Sequence, residues 1–432
     1  MFEAQTLAQE KYTDYKRSGV EWLYDIPSHW KVVRFKFLSS ITTGSKNTED
    51  KVDTGIYPFY VRSQTPELIN SYSFDGEAIL TAGDGAGVGK VYHYVNGRFD
   101  FHQRVYKFSD FKHAAGKFLF RYLQSNFFKV ATLGEAKSTV DSLRLPLIQD
   151  FLVCFPENKA EQASIIDFMD LKSKQIEQTI LFKERQIELL KERKQILIQQ
   201  AVTRGLNPRA PMRDSDIEWI GEIPSHWTIK RAKYIFREVD ERSPDGQQEL
   251  LSVSHLTGVT PRSEKNVTMF MSEDYTGSKT CQKDDLIFNI MWAWMGALGV
   301  SNRAGIVSSA YGIYRQLHPD TLNPQYLEML LKTTAYIAHY NKVSTGLHSS
   351  RLRFYGHMFM SMEICFPDRE EQDAIVAHLD LESEKINKAV DLLEKQITKL
   401  TEYKVTLINS AVTGKIKVPG VSEPETQDME VA

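Results

Sequence analysis

Cysteine is scarce in this chain, and long apolar segments are missing from it. The three cysteines, Cys154, Cys281 and Cys365, form no CxxC pair, which argues against zinc ribbons and dithiol redox sites. We expect all three to be buried free thiols, as in a reducing cytoplasm. The longest uncharged run, Leu286–Asn302, is too short to cross a membrane and predicts a buried pair of strands. The first 17 residues have no apolar core, so no signal peptide is expected.

Catalytic motifs are also missing. The glycine-rich run Gly83–Lys90 fails the phosphate-loop pattern, which needs glycine at position 84 and Ser or Thr at position 91, and it fails GxGxxG in both frames. Glu-x-Lys occurs at Glu157–Lys159 and Glu402–Lys404, but without the upstream Pro-Asp of a nuclease core. No methyltransferase motif or metal-ligand spacing of histidines is present. We therefore expect no catalytic, cofactor or metal site here. The glycine-rich run is interpreted either as a turn that lets backbone approach a ligand or DNA, or as a structural loop.

Net charge is low, at −3, but it is unevenly distributed. Residues 31–150 contain 16 Lys and Arg against 12 Asp and Glu, and residues 228–360 contain 15 against 12. The acidic residues concentrate in predicted helices and in a tail, residues 417–432, whose polar composition predicts disorder. Two mildly basic regions in an acidic chain permit a phosphate-contacting surface but do not demonstrate one.

An internal repeat is the most informative feature present. The sequence Ile-Pro-Ser-His-Trp occurs at Ile26–Trp30 and again at Ile223–Trp227, a shift of 197 residues. Further repeated pairs are Glu21-Trp22 with Glu218-Trp219, Phe155-Pro156 with Phe366-Pro367, Glu161-Gln162 with Glu371-Gln372, and Ala201–Thr203 with Ala411–Thr413. Between these blocks the two halves look unrelated. Similar segments around two different inserts suggest that one structural framework is used twice to present two different recognition domains.

A long helix is predicted after each insert, the first over residues 158–202, or ~67 Å at ~1.5 Å per residue. Asn158 and Asp368 are plausible N-caps, and Glu161 and Glu371 follow with capping-box spacing. Apolar residues then repeat with the 3-4 spacing of a coiled-coil seam. The first seam is Ile166, Met169, Ser173, Ile176, Ile180, Lys183, Ile187, Leu190, Lys194, Leu197 and Ala201, and the second is Val376, Leu379, Ser383, Ile386, Val390, Leu393, Ile397, Leu400, Lys404, Leu407 and Ala411. Our hypothesis is that the helices pack antiparallel within one molecule; a lone amphipathic helix on a globular core is the alternative.

Residues suited to DNA recognition occur in both inserts, which otherwise predict short strands and helices. Arginine pairs with guanine and Asn or Gln with adenine in the major groove, whereas Ser and Lys mostly hold phosphates. The candidates in the first insert are Arg62, Gln64, Gly85, Lys90, His102, Arg104, Lys137, Ser138 and Arg144. Those in the second are His255, Asn289, Trp292, Trp294, Ser309, Tyr311, His348, Ser349, Arg351 and Arg353. Solvated surface charge is an equally good interpretation of each cation, and core or loop packing is a better one for the two tryptophans.

These residues carry a family resemblance over residues 12–416. Two variable inserts, each preceded by Glu-Trp and Ile-Pro-Ser-His-Trp and followed by Phe-Pro, Glu-Gln and a long helix, resemble the DNA-specificity subunit of type I restriction-modification systems. The Gly83–Lys90 run followed by His102–Arg104 resembles one recurrent type of target-recognition domain, and Met291–Trp294 resembles another. The implied fold is α+β, with two α/β recognition domains mounted on an antiparallel intramolecular coiled coil in a pseudo-twofold repeat. The implied domains are 1–155 and 206–366 for recognition, 156–205 and 367–416 for the helices, and 417–432 for the tail.

The resemblance also implies a function. Each recognition domain would read one half of an asymmetric bipartite site in double-stranded DNA, across a spacer set by the helices. Two modification subunits would dock on the helices and methylate adenine with S-adenosylmethionine, and restriction subunits would use ATP and Mg²⁺. Those cofactors belong to partner chains, so this cytoplasmic subunit would not be an enzyme. The alternatives are a coiled-coil scaffold with two protein-binding domains, and a self-contained nuclease or methyltransferase.

Overall fold

The computed structural model describes residues 10–131, 142–265, 274–346 and 352–424. They form two compact units, one of Met1–Lys183 with Glu394–Ala432 and one of Glu184–Leu393. Both units mix helices and strands, so the α+β class is as predicted. In the described ranges, no helix is both long and apolar enough to cross a membrane.

The first unit contains strands β1 to β10, and six of them form its main sheet. Its strands are β1 (Tyr15–Arg17), β2 (Asp25–Pro27), β3 (Trp30–Arg34), β4 (Ser40–Thr43), β5 (Tyr57–Tyr60), β6 (Glu67–Ile69), β7 (Phe74–Ala82), β8 (Tyr92–Phe101), β9 (Val105–Ser109) and β10 (Leu152–Pro156). Its helices are α1 (Gly116–Asn126), α2 (Phe128–Ala131), α3 (Leu145–Gln149) and the first part of α4 (Lys159–Arg204). The sheet order is β4-β9-β7-β8-β5-β6, and β1-β2 and β3-β10 form separate antiparallel pairs. Helix α1 places Phe118, Leu119 and Tyr122 on one face, and this face joins the core that also holds Trp30 and Ile165.

The second unit has smaller sheets. Its strands are β11 (Met212–Asp214), β12 (Glu222–Pro224), β13 (Thr228–Arg231), β14 (Phe236–Glu238), β15 (Leu251–Ser254), β16 (Gly258–Pro261), β17 (Lys279–Cys281), β18 (Leu286–Phe288), β19 (Leu298–Val300), β20 (Gly305–Val307), β21 (Gly312–Gln316) and β22 (Glu363–Phe366). Its helices are α5 (Pro324–Leu331), α6 (Thr334–Val343), α7 (Gly356–Ser361) and the first part of α8 (Arg369–Val412). The main sheet has the order β14-β21-β18-β19.

The two inserts share a strand framework that their sequences do not reveal. The order β4-β9-β7-β8 in the first unit matches β14-β21-β18-β19 in the second, position for position along the chain. The pair β3-β10 likewise corresponds to β13-β22, and β1-β2 to β11-β12. In this framework the uncharged run Leu286–Asn302 supplies β18 and β19, which pair antiparallel as predicted. The same sheet is therefore built from unrelated residues.

The long helices form an intramolecular pair within each unit. In the first unit, Lys183 Nζ donates to Gln396 Oε1 at 2.6 Å and Lys404 pairs with Glu177 at 2.5 Å. Rising numbers along α4 thus meet falling numbers along α8, so these segments run antiparallel. In the second unit, Lys194 Nζ donates to Asn387 Oδ1 at 3.1 Å. The predicted seam residues are all buried or half-buried, as a paired stripe requires.

The cysteines behave as predicted. All three are buried and free, and Cys154 and Cys365 occupy equivalent strands, β10 and β22. Burial raises the pKa of each of these two thiols to about 12. They are therefore protonated and unreactive at neutral pH.

Disorder from residue 417 onward is wrong for the part of the tail that the structure describes. Val418 and Val421 are buried in the core of the first unit. The Glu423 carboxylate accepts from the Thr13 amide at 2.9 Å and pairs with Lys417 at 3.0 Å. Two apolar side chains in an otherwise polar tail are enough to anchor it. Residues 425–432 lie outside the described ranges.

Candidate nucleic-acid interface

A buried carboxylate ties the segment before the first insert to helix α4. Glu161 is 3% exposed. Its Oε1 accepts from Tyr12 OH at 2.8 Å and from Trp30 Nε1 at 2.9 Å, and its Oε2 lies 2.9 Å from His29 Nε2. The predicted capping-box role of Glu161 is therefore wrong, because its oxygens serve buried donors that would otherwise be unsatisfied. Asn158 does cap the helix, accepting from the Ala160 amide at 2.9 Å.

The second copy of this contact is looser. Trp227 Nε1 donates to Glu371 Oε1 at 3.4 Å, and His226 Nε2 lies 2.7 Å from Oε2. The Glu371 side chain is 27% exposed. A capping box is wrong here too, although Asp368 caps the helix by accepting from the Glu371 amide at 2.9 Å.

The glutamine that follows each of these glutamates, Gln162 or Gln372, makes further bonds between the long helix and the rest of its unit. Gln162 accepts from the Ala115 amide at 2.8 Å and donates to the Pro156 carbonyl at 2.7 Å. Gln372 makes the equivalent bonds to the Asn323 amide at 2.8 Å and the Pro367 carbonyl at 2.9 Å. The repeat singled out these residues, but which buried groups they join was not readable from sequence.

The glycine-rich run forms the loop between β7 and β8. A side chain at Gly83 would meet the Arg104 carbonyl at 2.9 Å, and one at Gly87 would meet the Arg62 carbonyl at 2.7 Å. These glycines let the loop approach the protein's own backbone, which supports the structural interpretation for both. Gly85, by contrast, has φ +75° and faces open space.

Two candidate arginines converge on one acidic side chain of this loop. Arg62 Nη1 donates to Asp84 Oδ1 at 2.9 Å, and Arg104 Nη1 donates to Asp84 Oδ2. The Asp84 side chain is 10% exposed, whereas those of Arg62 and Arg104 are 43% and 59% exposed. Burial alone would raise the pKa of the Asp84 carboxyl, but hydrogen bonds and charge from Arg104 and Arg62 outweigh it and hold this pKa below its usual value. Sequence reasoning missed Asp84.

His102 supports the turn beside this cluster. It is 5% exposed, and its Nδ1 accepts from the Arg104 amide at 3.0 Å. Burial lowers the pKa of the imidazole, and the Arg62 charge acts in the same direction. His102 is therefore a neutral residue whose ring faces the protein and supports this turn, and its contact with DNA stays a prediction.

The remaining candidates of the first insert divide into two groups. Gln64, Lys90 and Arg144 are exposed and available to a ligand. Lys137 and Ser138 lie outside the described residues.

In the second unit the corresponding loop, between β18 and β19, contains the tryptophans. Asn289 is buried, donates to Tyr311 OH at 3.0 Å and accepts from the Met291 amide at 3.2 Å. Its amide is thus engaged in shaping the loop, and its contact with DNA stays a prediction. Trp294 donates to the Met291 carbonyl at 3.0 Å, and Trp292 stacks on it at 6.0 Å while remaining 48% exposed.

Other residues surround this loop. Burial raises the pKa of Tyr311, and the charge of Arg262, a residue that sequence reasoning missed, acts against this rise. Ser309 and His255 are exposed. Arg353 is half-buried and pairs through its backbone with Thr345. His348, Ser349 and Arg351 lie outside the described residues. Within the described ranges, no group of three or more His, Cys, Asp or Glu side chains is placed to hold a metal ion.

Comparison with known proteins finds similarity in the first half of the chain. Residues 27–189 match the family model of the type I restriction modification DNA specificity domain. The type I restriction enzyme EcoDI specificity subunit of Escherichia coli is 30% identical over 181 residues, which cover 42% of this chain and 39% of that protein. The chain thus aligns with about two-fifths of the length of this curated relative. The predicted resemblance to type I specificity subunits is confirmed, because residues 27–189 match the model of this specificity domain and the E. coli subunit is similar to part of the chain.

Two solved structures share the fold of nearly the whole chain. One comes from work on complex assembly and conformational transition of the type I R-M system; it is 14% identical, with a TM-score of 0.60, and the match covers 90% of this chain and 99% of that one. The other is the HsdS subunit of Thermoanaerobacter tengcongensis, 15% identical, with a TM-score of 0.54 and coverage of 91% and 99%.

Proposed function

We propose that this chain is a non-catalytic DNA-specificity subunit of a type I restriction-modification complex, in which each unit reads one half of an asymmetric bipartite target. The observation that carries the proposal is the repeated framework with unlike loops. The order β4-β9-β7-β8 and its counterpart present a charged glycine-rich loop in one unit and a tryptophan loop in the other. Different loops on one framework favour different half-sites.

The reading surfaces follow from exposure. In the first unit, the proposed DNA contacts are Arg62, Gln64, Lys90, Arg104 and Arg144, with Gly85 where the backbone is open. In the second they are His255, Trp292, Ser309, Tyr311 and Arg353, while Trp294 supports Trp292. Lys137, Ser138, His348, Ser349 and Arg351 stay candidates on sequence alone.

The helices supply the second part of the proposal. Seam burial and the Glu177–Lys404, Lys183–Gln396 and Lys194–Asn387 contacts support an antiparallel intramolecular coiled coil. We propose that it sets the spacer and docks two modification subunits, through which restriction subunits join. S-adenosylmethionine, ATP and Mg²⁺ would act in those partners. The functional division proposed from sequence, 1–155, 156–205, 206–366, 367–416 and 417–432, goes with this proposal, except that Val418 and Val421 are buried in the core of the first unit.

Genome-wide adenine methylation tests the proposal. A host that carries this chain with its neighbouring modification subunit should methylate an asymmetric bipartite motif, and a host lacking only this chain should not. Retention of the methylation pattern without the chain would contradict the proposal. A purified chain that loses all sequence preference as salt rises would favour the scaffold alternative, because purely electrostatic binding is lost with salt.

A further inference from the structure

We infer that Asp84 is a positioning residue that presets Arg62 and Arg104 as a guanine-reading pair, so that the half-site read by the first unit contains a G·C base pair. The inference rests on the proposed function and adds the base class to it. It is drawn from the observation that Arg62 and Arg104 both donate hydrogen bonds to the Asp84 carboxylate.

The geometry leaves the arginines able to read a base. Asp84 gives one carboxylate oxygen to Nη1 of each arginine, so neither bond uses Nε or Nη2. The carboxylate is 10% exposed while both guanidiniums are about half exposed, which puts the acid below and the cations at the surface. Guanine presents N7 and O6 as paired acceptors in the major groove, and the planar arginine fork matches them.

The backbone that carries Asp84 and Arg104 is also restrained by hydrogen bonds and close packing. Gly83 and Gly87 bring the loop against the carbonyls of Arg104 and Arg62, and the Gly83 amide donates to the Arg104 carbonyl at 2.8 Å. The Arg104 amide is bonded to His102 Nδ1. A reader whose backbone and charged group are already ordered loses less conformational entropy on binding, so more of the base contact appears as discrimination.

Asp84 also lowers the net charge of the cluster from two positive charges to one. Phosphate attraction is independent of sequence, so a carboxylate here weakens non-specific binding while it sharpens base reading. Removing the charge should therefore have two effects of opposite sign: tighter binding to any DNA and poorer choice of base. A residue that served stability alone would not produce this pair of effects.

The test uses Asp84→Asn in the full chain, assembled with its modification subunit. We expect discrimination at a G·C position of one half-site to fall by about 5- to 150-fold, the range for one bidentate base contact. The other half-site should be read as before, and non-specific affinity should rise with a steeper salt dependence. Arg62→Lys and Arg104→Lys should each lose discrimination at the same half-site, because lysine cannot form the fork.

Asp75→Asn is the matched control. Asp75 pairs with Arg98 at 2.9 Å in the same domain, and both side chains are about half exposed, so its loss should leave discrimination unchanged. If Asp84→Asn read the bipartite motif as well as the wild type does, the inference would be wrong and the proposed function would stand. The same would follow if the half-site read by the first unit contained no G·C base pair. Equal relaxation of both half-sites would also overturn it, since that indicates general loss of structure. A wild-type complex without any bipartite motif would overturn the proposed function and this inference together.

Discussion

The loops Gly83–Val91 and Asn289–Ala297 occupy the same place in two copies of one framework, yet they differ in chemistry. Each follows a central strand, β7 or β18, and leads into its antiparallel neighbour. In the first, Asp84 holds Arg104, which directly precedes β9. In the second, Asn289 holds Tyr311, which directly precedes β21. A charged contact in one unit is replaced by a neutral contact at nearly the same place in the other, since Asp84 lies two residues after β7 and Asn289 lies one residue after β18.

Under the proposed function, this difference would let one fold carry two specificities. In both units a residue one or two positions after the central strand bonds to the residue just before the strand that pairs with it, β9 or β21, so the two loops are held in a similar way. What they display is different: half-exposed guanidiniums in the first and a half-exposed indole in the second. Arginine suits guanine, whereas an apolar ring suits the thymine methyl group. Under the proposed function, the framework would constrain position and leave the choice of base to a few side chains.

Exchange of the first insert should have the largest effect on the two half-sites. Replacement of residues 31–150 by the corresponding insert of another type I specificity subunit should replace one half of the methylated motif completely and leave the other half unchanged. Methylome sequencing of hosts with the parent and the hybrid chain measures this. The reciprocal exchange of residues 228–360 is the control and should alter the opposite half. Change in both halves after one exchange would contradict independent reading.

Replacement of Glu161 or Glu371 should have the next largest effect, on the stability of the unit that contains it. Glu161→Ala leaves the buried Trp30 and Tyr12 donors unsatisfied and should destabilise the first unit by about 2–5 kcal/mol. Glu371→Ala should cost the second unit only about 1 kcal/mol, because Glu371 is partly exposed and its bond to Trp227 is long. Hydrogen exchange of β3 and β13 reports each unit separately. Glu161→Gln retains an acceptor for both donors and is the control; equal losses in the two units would refute the ranking.

The repeat and the heptads predicted more of this molecule than the inserts did. Apolar spacing identified both helices and their buried seams, because helical periodicity is a local signal. The caps Asn158 and Asp368 were identified by residue type, which is also a local signal. The common sheet order was not predictable, since it depends on strand pairing between residues that share no identity. For the same reason Glu161 and Glu371 were assigned to their own helix ends. The partners of each, Trp30 or Trp227, are more than a hundred residues away in sequence.

The candidate site was predicted in outline. Stretches rich in Arg, Asn and Trp were found in sequence, and several of their side chains lie together at the β7–β8 and β18–β19 loops. Which side chains face outward was not predictable: Asn289 and His102 have the chemistry of base readers but turn inward to bond to their own loops. Asp84 was overlooked because an acidic residue has no obvious place in a DNA site until its two arginine partners are seen.

Trp292 is the residue of the second unit whose substitution should weaken DNA binding. Trp292→Ala should weaken specific binding by roughly fivefold, about 1 kcal/mol, through the half-site that the second unit reads. Stability should hardly change, because the ring is 48% exposed. Electrophoretic shift assays against targets altered in either half-site measure the first effect, and thermal unfolding the second. Leu256→Ala, at an exposed apolar residue outside the loop, is the control. Reduced unfolding temperature with unchanged binding would make Trp292 a packing residue.

The smallest expected difference concerns the repeated tryptophans Trp22 and Trp219. Trp22 stacks on Phe151 at 5.8 Å, whereas Trp219 stacks on His339 at 4.2 Å. Burial lowers the pKa of His339, so the folded state binds a proton less readily than the unfolded chain. The stabilising effect of the neutral ring is therefore complete above the usual histidine range of about 6.5 and declines as pH falls below it.

Amide protection factors at pH 7.5 and 5.5 measure this effect, since they are corrected for the intrinsic pH dependence of exchange. Protection in α6, which contains His339, should fall slightly at the lower pH, while protection in α1 of the first unit should not. His339→Phe places in the second unit the kind of ring that Trp22 meets in the first, and it should abolish the difference. If the His339→Phe chain still loses α6 protection at pH 5.5, another group is responsible and the two tryptophan contacts are equivalent in their response to pH.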